Sequence, residues 1–410
     1  MSYEQLVDRY PGVPRFVILK LDVQRRGIGL TDRAWDAVQA PYYRHRESTT
    51  YGVRRDENSG RASPGPLLLR DGTTVLVSPG PGFGNTYTID AVDGKFFIFD
   101  QGKQIDEVDF SPRPDYYGKK TSRGVPMESI ASARPQRIDI QPYRHCHFWD
   151  TGDQCKYCAF FTDRIEQRQL DSGKIQKELN LDDIHETVKE ALKEPGRFSQ
   201  VNLTAGADYS GSEPFENEVN RYIAVLQAIG RNFTSRRFPS QLIAPAYTKK
   251  HIRRIYDETG LSSYCPDIEV WDERLFKWIC PGKDKWVGRD NWIRATLEAV
   301  DIFGWGNVYT NMVAGVEMAQ PHGFKTVDEA LKSSFEGCEF FAKHGVQMLS
   351  LVWRPWGASE FRGLKQPPLE YYVRLVQGFH DIRKAYGLSP DNDDFKHCGN
   401  HGDSDLNRID

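Results

Sequence analysis

From about residue 136 onward, short apolar runs alternate with longer stretches whose apolar positions recur every three to four residues. The runs predicted as strands are RIDIQPY (137–143), SQVNLTA (199–205), SQLIAPA (240–246), SYCPDIEVW (263–271), NVYTNMVAG (307–315) and VQMLSLVW (346–353). Helical periodicity covers 182–194, 213–233, 249–260, 289–304, 327–345 and 369–387. Asp182 and Asp183 are candidate first-turn or capping acids, and Gly260, Gly304, Gly345 and Gly387 supply C-terminal stops. Six strand-then-helix units predict an α/β fold, a partial (β/α)6 TIM-type barrel. Its chemistry is expected at the strands' C-terminal ends.

The chain before residue 136 has a different rhythm. Short β-like runs (PLLLRDGTTVLV, NTYTIDAVDGKFFIFD, QIDEVDF) are separated by the turn signals RDG, PGPGFG, VDGK and DQGK. They predict a small, mostly β accessory domain over 1–135, a candidate for substrate recognition. The barrel is expected over 136–362, and a C-terminal helix and tail over 363–410. The segment SPRPDYYGKKTSRGVPM (111–127) reads as a linker or crossing loop. PGPGFGN (79–85) lacks the Gly-Lys-Ser/Thr ending of a phosphate loop and a helix behind it, so it reads as a hairpin turn.

Composition narrows the setting. Of 410 residues, 39% are hydrophobic and 27% charged, and the net charge of −3 gives no reason to expect a nucleic-acid or anionic-membrane surface. No apolar run approaches the ~18–20 residues that span a bilayer. The start, MSYEQLVDRYPGVPRF, lacks a signal-peptide profile. Seven cysteines, three of them within 146–158, argue for metal or catalytic use rather than a disulfide framework. A cytoplasmic protein without nucleic-acid or membrane partners is expected.

The decisive stretch is RHCHFWDTGDQCKYCAFF (144–161), directly after the first barrel strand. It spaces Cys146, Cys155 and Cys158 as C-x8-C-x2-C. Four thiolates would close an iron–sulfur cubane; three leave one iron open to bind and cleave a ligand. Tyr157 and Phe160 would shield such a cluster from water. The competing reading is a structural zinc held by the three cysteines plus His145 or His147, on a non-catalytic binding protein with a TIM-like scaffold. A zinc module normally pairs two short-spaced ligand couples, and no second couple follows here. A loop capping a barrel strand is also an active-site position.

The stretch resembles the radical S-adenosylmethionine (SAM) superfamily across about residues 137–360. Such enzymes commonly space their cysteines C-x3-C-x2-C with an aromatic residue before the last, here Tyr157. This chain departs in the wider first gap. The resemblance implies one [4Fe–4S] cluster and SAM as cofactors. It implies reductive cleavage of SAM to a 5′-deoxyadenosyl radical that abstracts hydrogen from a substrate, with an electron donor such as flavodoxin or ferredoxin. Where the family's second strand ends in Gly-Gly-Glu, this chain has Ala205-Gly206-Ala207, so backbone contact to the SAM amino group is implied without the glutamate. Glu269 resembles the fourth-strand acid that contacts SAM, and AGVE (314–317), ending in Glu317, is similar to the glycine-and-acid pattern near the adenine. No D-x-H-x-x-G cobalamin motif is present, so cobalamin is not expected.

Arg354, at the end of the sixth strand, is suited to gripping a carboxylate of SAM or of the substrate. Lys283, in the PGK turn, is a weaker candidate. Cys265 and Cys280 flank the fourth strand and its helix, as hydrogen-atom donors or as packing residues; Cys338 reads as a small core residue. Cys398 lies beside His397 and His401, a short cluster without a fourth ligand. The substrate is not legible in these residues.

Overall fold

Six parallel strands lie side by side in chain order: β8 (Arg137–Ile140), β9 (Gln200–Thr204), β10 (Ser240–Ile243), β11 (Ser263–Cys265), β12 (Val308–Ala314) and β13 (Val346–Val352). All six are the predicted ones. The structure is a computed structural model that describes residues 1–38, 65–76, 86–134, 136–159, 177–355, 359–388 and 399–408. A seventh strand, β7 (Ala131–Arg134), pairs antiparallel with β8 and so joins the accessory region to the edge of the barrel sheet.

The strands alternate between two environments, as a period of two requires. Leu242, Tyr264, Val308, Met312 and Met348 belong to the main core under the helices. Cys265, Tyr309 and Leu349 form a separate inner cluster with Ile243. Much of the inner face is polar: Asn202 donates to Asp139 at 2.6 Å, and Gln347 to the Tyr309 hydroxyl at 3.2 Å. This mixed interior explains why the strands read as short broken runs rather than continuous apolar ones.

The helices between and after the strands are α5 (Leu181–Ala191), α6 (Glu216–Gly230), α7 (Lys249–Glu258), α10 (Arg289–Phe303), α11 (Val327–Ala342) and α12 (Leu369–Ala385). Their ends follow local chemistry. Asn180 caps α5, which leaves Asp182 and Asp183 in the first turn. Thr326 and Glu329 form a reciprocal capping box on α11. Gly304 ends α10 with φ of 89°.

The accessory sheet runs β1-β4-β5-β6-β2-β3, built from β1 (Ile28–Leu30), β2 (Leu67–Leu69), β3 (Thr74–Val75), β4 (Tyr87–Val92), β5 (Lys95–Asp100) and β6 (Lys103–Phe110). Three helices accompany it that the periodicity did not reveal: α1 (Tyr3–Arg9), α2 (Arg15–Arg26) and α3 (Asp32–Val38). Helix α2 buries Lys20, Asp22 and Gln24 along with its apolar residues, because it packs against α12, β13 and the C-terminal tail. Lys20 pairs with Asp405 at 2.5 Å, both fully buried, on the short tail helix α13 (Gly402–Asp405). The segment 111–127 is no free linker. It lies along α5, with Thr121 donating to Asp183 at 2.7 Å and Lys119 to Glu190 at 2.9 Å. The PGPGFGN turn lies outside the described residues.

Candidate active site

A cavity of about 310 Å³ opens at the C-terminal ends of the barrel strands. Cys146, Cys155, Tyr157 and Cys158 line it, with Ala205, Gly206, Glu269 and Arg354. Most residues singled out from the sequence thus share one space, at the predicted end of the barrel. Gln24 and Asn400 complete the wall from opposite ends of the chain, held together by Gln24 Nε2 donating to the Gly399 carbonyl at 2.7 Å.

The wide cysteine gap holds a helical turn. Cys146 stands at the N-cap of α4 (His147–Asp150), and Gly152 then takes a left-handed φ of 73°, returning the chain toward Cys155. The loop is clamped on both sides. Ala207 accepts from the His147 N–H at 2.6 Å, while Lys156 N donates to Ile279 O at 2.9 Å and Gly282 N to Asp153 O at 2.9 Å. The last two bonds dock the loop on the elbow between α8 (Glu273–Ile279) and α9 (Pro281–Trp286). At Gly206 a side chain has no room: a Cβ would stand 2.1 Å from the His145 carbonyl oxygen and 2.5 Å from Cys146 Cβ.

The thiols are unequal. Burial pushes Cys146 up to about 11. A hydrogen bond from Cys280, with Lys283 nearby, holds Cys155 below its ordinary value despite its burial. Among the described residues no group of three or more His, Cys, Asp or Glu side chains is gathered as a single-ion site. Three thiols on one cavity wall, backed by Phe148 and Tyr157, nonetheless fit a polynuclear cluster with a ligand beside it. His145 and His147 do not line the cavity: His145 faces Asp150, and the His147 ring stacks on Tyr209.

Glu269 reaches the cavity by an unusual path. It sits at φ of 69° after β11, bridged to Met312, and its carboxylate pairs with Lys283 at 2.7 Å. Lys283 also donates to the Asp267 carbonyl at 2.6 Å. The PGK segment is therefore the start of a helix carrying a buried cation into the site, not a solvated turn.

The sequence reading passed over Asp267, two residues before Glu269 and on the same wall. Its Oδ1 accepts from Cys265 Sγ at 3.1 Å, Asn311 N at 3.0 Å and Asn311 Nδ2 at 2.8 Å. Its Oδ2 takes no hydrogen bond from the described residues. Burial, and then the Glu269 charge, push its carboxyl up to about 7. The i, i+2 spacing of two acids in an extended segment was the available signal.

Three expectations change. Glu317 does not line the cavity: it is buried where β12 exits, accepting from Gly315 N at 2.8 Å, Ser334 Oγ at 3.2 Å and the Tyr371 hydroxyl. It staples the strand end to α11 and α12. Cys265 and Cys280 are fully buried and also absent from the cavity wall, one turned to Asp267 and the other to Cys155, so neither is placed to meet a substrate there. His401 faces Ser350 O at 3.0 Å as a buried core histidine, while His397 and Cys398 lie outside the described residues. The Gly206 carbonyl accepts from Tyr143 at 2.9 Å, so this turn's acceptors are partly committed to the protein.

No protein-family model matches the chain. It is 24% identical over 282 residues to the bacteriochlorophyllide c C-7(1)-hydroxylase of Chlorobaculum limnaeum, an alignment spanning 65% of this chain and 65% of that relative. Among solved structures it is similar to a methylornithine synthase, at 15% identity and a TM-score of 0.43, over 64% of this chain and 71% of the other. It is also similar to a radical SAM methyltransferase from Sphaerobacter thermophilus, at 14% identity and a TM-score of 0.42, over 98% and 97%. Among the described residues no helix is long and apolar enough to cross a membrane.

Proposed function

We propose that the protein is a radical SAM enzyme in which Cys146, Cys155 and Cys158 hold one [4Fe–4S] cluster. The observation carrying this reading is the convergence of all three thiols with Gly206, Asp267, Glu269 and Arg354 on one cavity at the strand ends. When bound, cluster and SAM supply a 5′-deoxyadenosyl radical able to take hydrogen from an unactivated C–H bond. An external one-electron donor such as flavodoxin or ferredoxin supplies the electron.

The chain's own residues do the rest. The clamped 146–158 loop fixes the thiols, and Phe148, Tyr157 and Trp292 keep water from them. The Oδ2 of Asp267, unbonded among the described residues, accepts a hydroxyl or amino proton of SAM beside Glu269, whose Oε1 is taken by Lys283. Arg354, on the β13 side, grips a carboxylate of SAM or substrate. The hydroxylase named above supports net oxidation at a C–H bond as the outcome.

The test is anaerobic reconstitution followed by dithionite and SAM. Formation of 5′-deoxyadenosine supports the reading; a protein that takes up zinc and leaves SAM intact overturns it.

A further inference from the structure

Glu218 lies in the first turn of α6, fully buried behind the turn that follows β9. One carboxylate oxygen accepts the backbone N–H of Asp208, and the other accepts the Tyr247 hydroxyl. The Asp208 side chain is held in turn by Ser210 N at 3.1 Å and by Arg221 at 3.2 Å. Arg221 also lies over the Tyr143 ring, 4.5 Å from its centroid, and the Tyr143 hydroxyl donates to Gly206 O at 2.9 Å. Tyr264 extends the network: its hydroxyl accepts Tyr247 N–H at 3.1 Å and donates to Pro245 O.

This network ties together the chain leaving β8, β9 and β10. Its far side is the cavity wall: Ala205, Gly206, Ala207, Ala244 and Pro245 all line the cavity. Packing alone does not call for a carboxyl here, since a buried polar group costs more than an apolar side chain of similar volume. What the carboxyl adds is direction: a fixed acceptor for one backbone N–H, two residues after Gly206. The turn itself, Ala205-Gly206-Ala207, carries no acid of its own.

We propose that Glu218 is a positioning residue for SAM: from behind the turn it fixes the 205–208 backbone in the shape that receives the SAM amino group. It does so in place of the glutamate missing after Gly206. This inference rests on the SAM reading above.

The test is calorimetric titration of the anaerobically reconstituted protein with SAM, alongside iron content and the thermal midpoint. Glu218→Met removes the acceptor at similar volume, and is expected to keep its iron but to bind SAM about tenfold more weakly. Glu218→Gln should stay within about threefold of wild type: its carbonyl still accepts from Asp208 and its amide can donate to the Tyr247 oxygen. A rescue of that kind separates an acceptor role from simple filling of space. Wild-type affinity in Glu218→Met overturns the proposal, as does an equal loss in both variants. If Glu218→Met does not fold, Tyr247→Phe, which frees the carboxylate to shift without stranding a donor, should weaken SAM binding about threefold. Unchanged affinity there also overturns the proposal. Failure of the wild-type protein to bind SAM is a different result: it removes the SAM reading, and this proposal with it.

Discussion

The Lys283 ammonium lies 2.7 Å from Oε1 of Glu269, with both side chains about nine-tenths buried. Burial works against the ammonium, and the Glu269 carboxylate together with Cys155, Cys280 and Asp267 more than offsets it. Removing one partner strands the other charge, a loss of about 3–5 kcal/mol. Lys283→Met should therefore lower the apo protein's unfolding free energy by roughly that much. Denaturant melts check this, and a loss below about 1 kcal/mol would mean that the pair is solvated.

Asp267 stands with Glu269 on the same cavity wall, a second acid able to meet SAM. Among the described residues Oδ2 of Asp267 takes no hydrogen bond, while Oε1 of Glu269 is held by Lys283. Asp267→Asn should weaken SAM binding about ten- to a hundredfold, the usual cost of a lost hydrogen bond to a charged group. Arg354→Gln should leave the apo fold intact and reduce affinity for SAM or for substrate. Titration of each variant with SAM ranks the positions, and an Asp267→Asn protein with wild-type affinity rules out the Asp267 contact.

Gly206 offers a steric test. A Cβ there meets the His145 carbonyl oxygen and Cys146, so Gly206→Ala must push the cysteine loop off the β9 turn. Overpacking of this kind costs about 1–3 kcal/mol, which the barrel can absorb but the metal site cannot. The variant should fold, by circular dichroism, yet retain little iron after reconstitution.

Much of the barrel was legible because its punctuation is local. Gly304 and Gly345 mark helix ends in the residues themselves, and the strands' period of two survives a polar interior. The cysteine loop and Gly206 could be placed from sequence for the same reason. Helix α2 could not: Lys20 and Gln24 are buried by partners in the tail, nearly 400 residues away, and no local pattern encodes that. Glu218 was missed, and with it the burial of Lys283, since the partners of each lie on other elements. Glu317 misled because a glycine-then-acid pattern at a strand end suits a staple as well as a ligand contact.

Buried acids give the apo protein a pH signature. Burial pushes Glu218 from an ordinary 4.5 up to about 8, and Asp267 from 3.8 up to about 7. Between those limits the folded state binds more protons than the unfolded one, so stability falls as pH rises toward 8. His401 acts in the opposite sense: burial lowers it from 6.5 to about 3, and its contribution is lost as pH falls through that window. From pH 6.5 to 8 the acids therefore dominate. Urea melts at those two values should show wild type losing stability and Glu218→Gln losing less; an identical loss would remove Glu218 as the cause.

The cluster assignment itself is tested most directly by metal content and SAM cleavage in single-cysteine variants. Anaerobically reconstituted wild-type protein should carry about four irons per chain and form 5′-deoxyadenosine from SAM under dithionite. Cys146→Ala, Cys155→Ala and Cys158→Ala should each fold, lose the iron and form none. A Cys146→Ala protein that keeps its iron and still cleaves SAM would contradict the account.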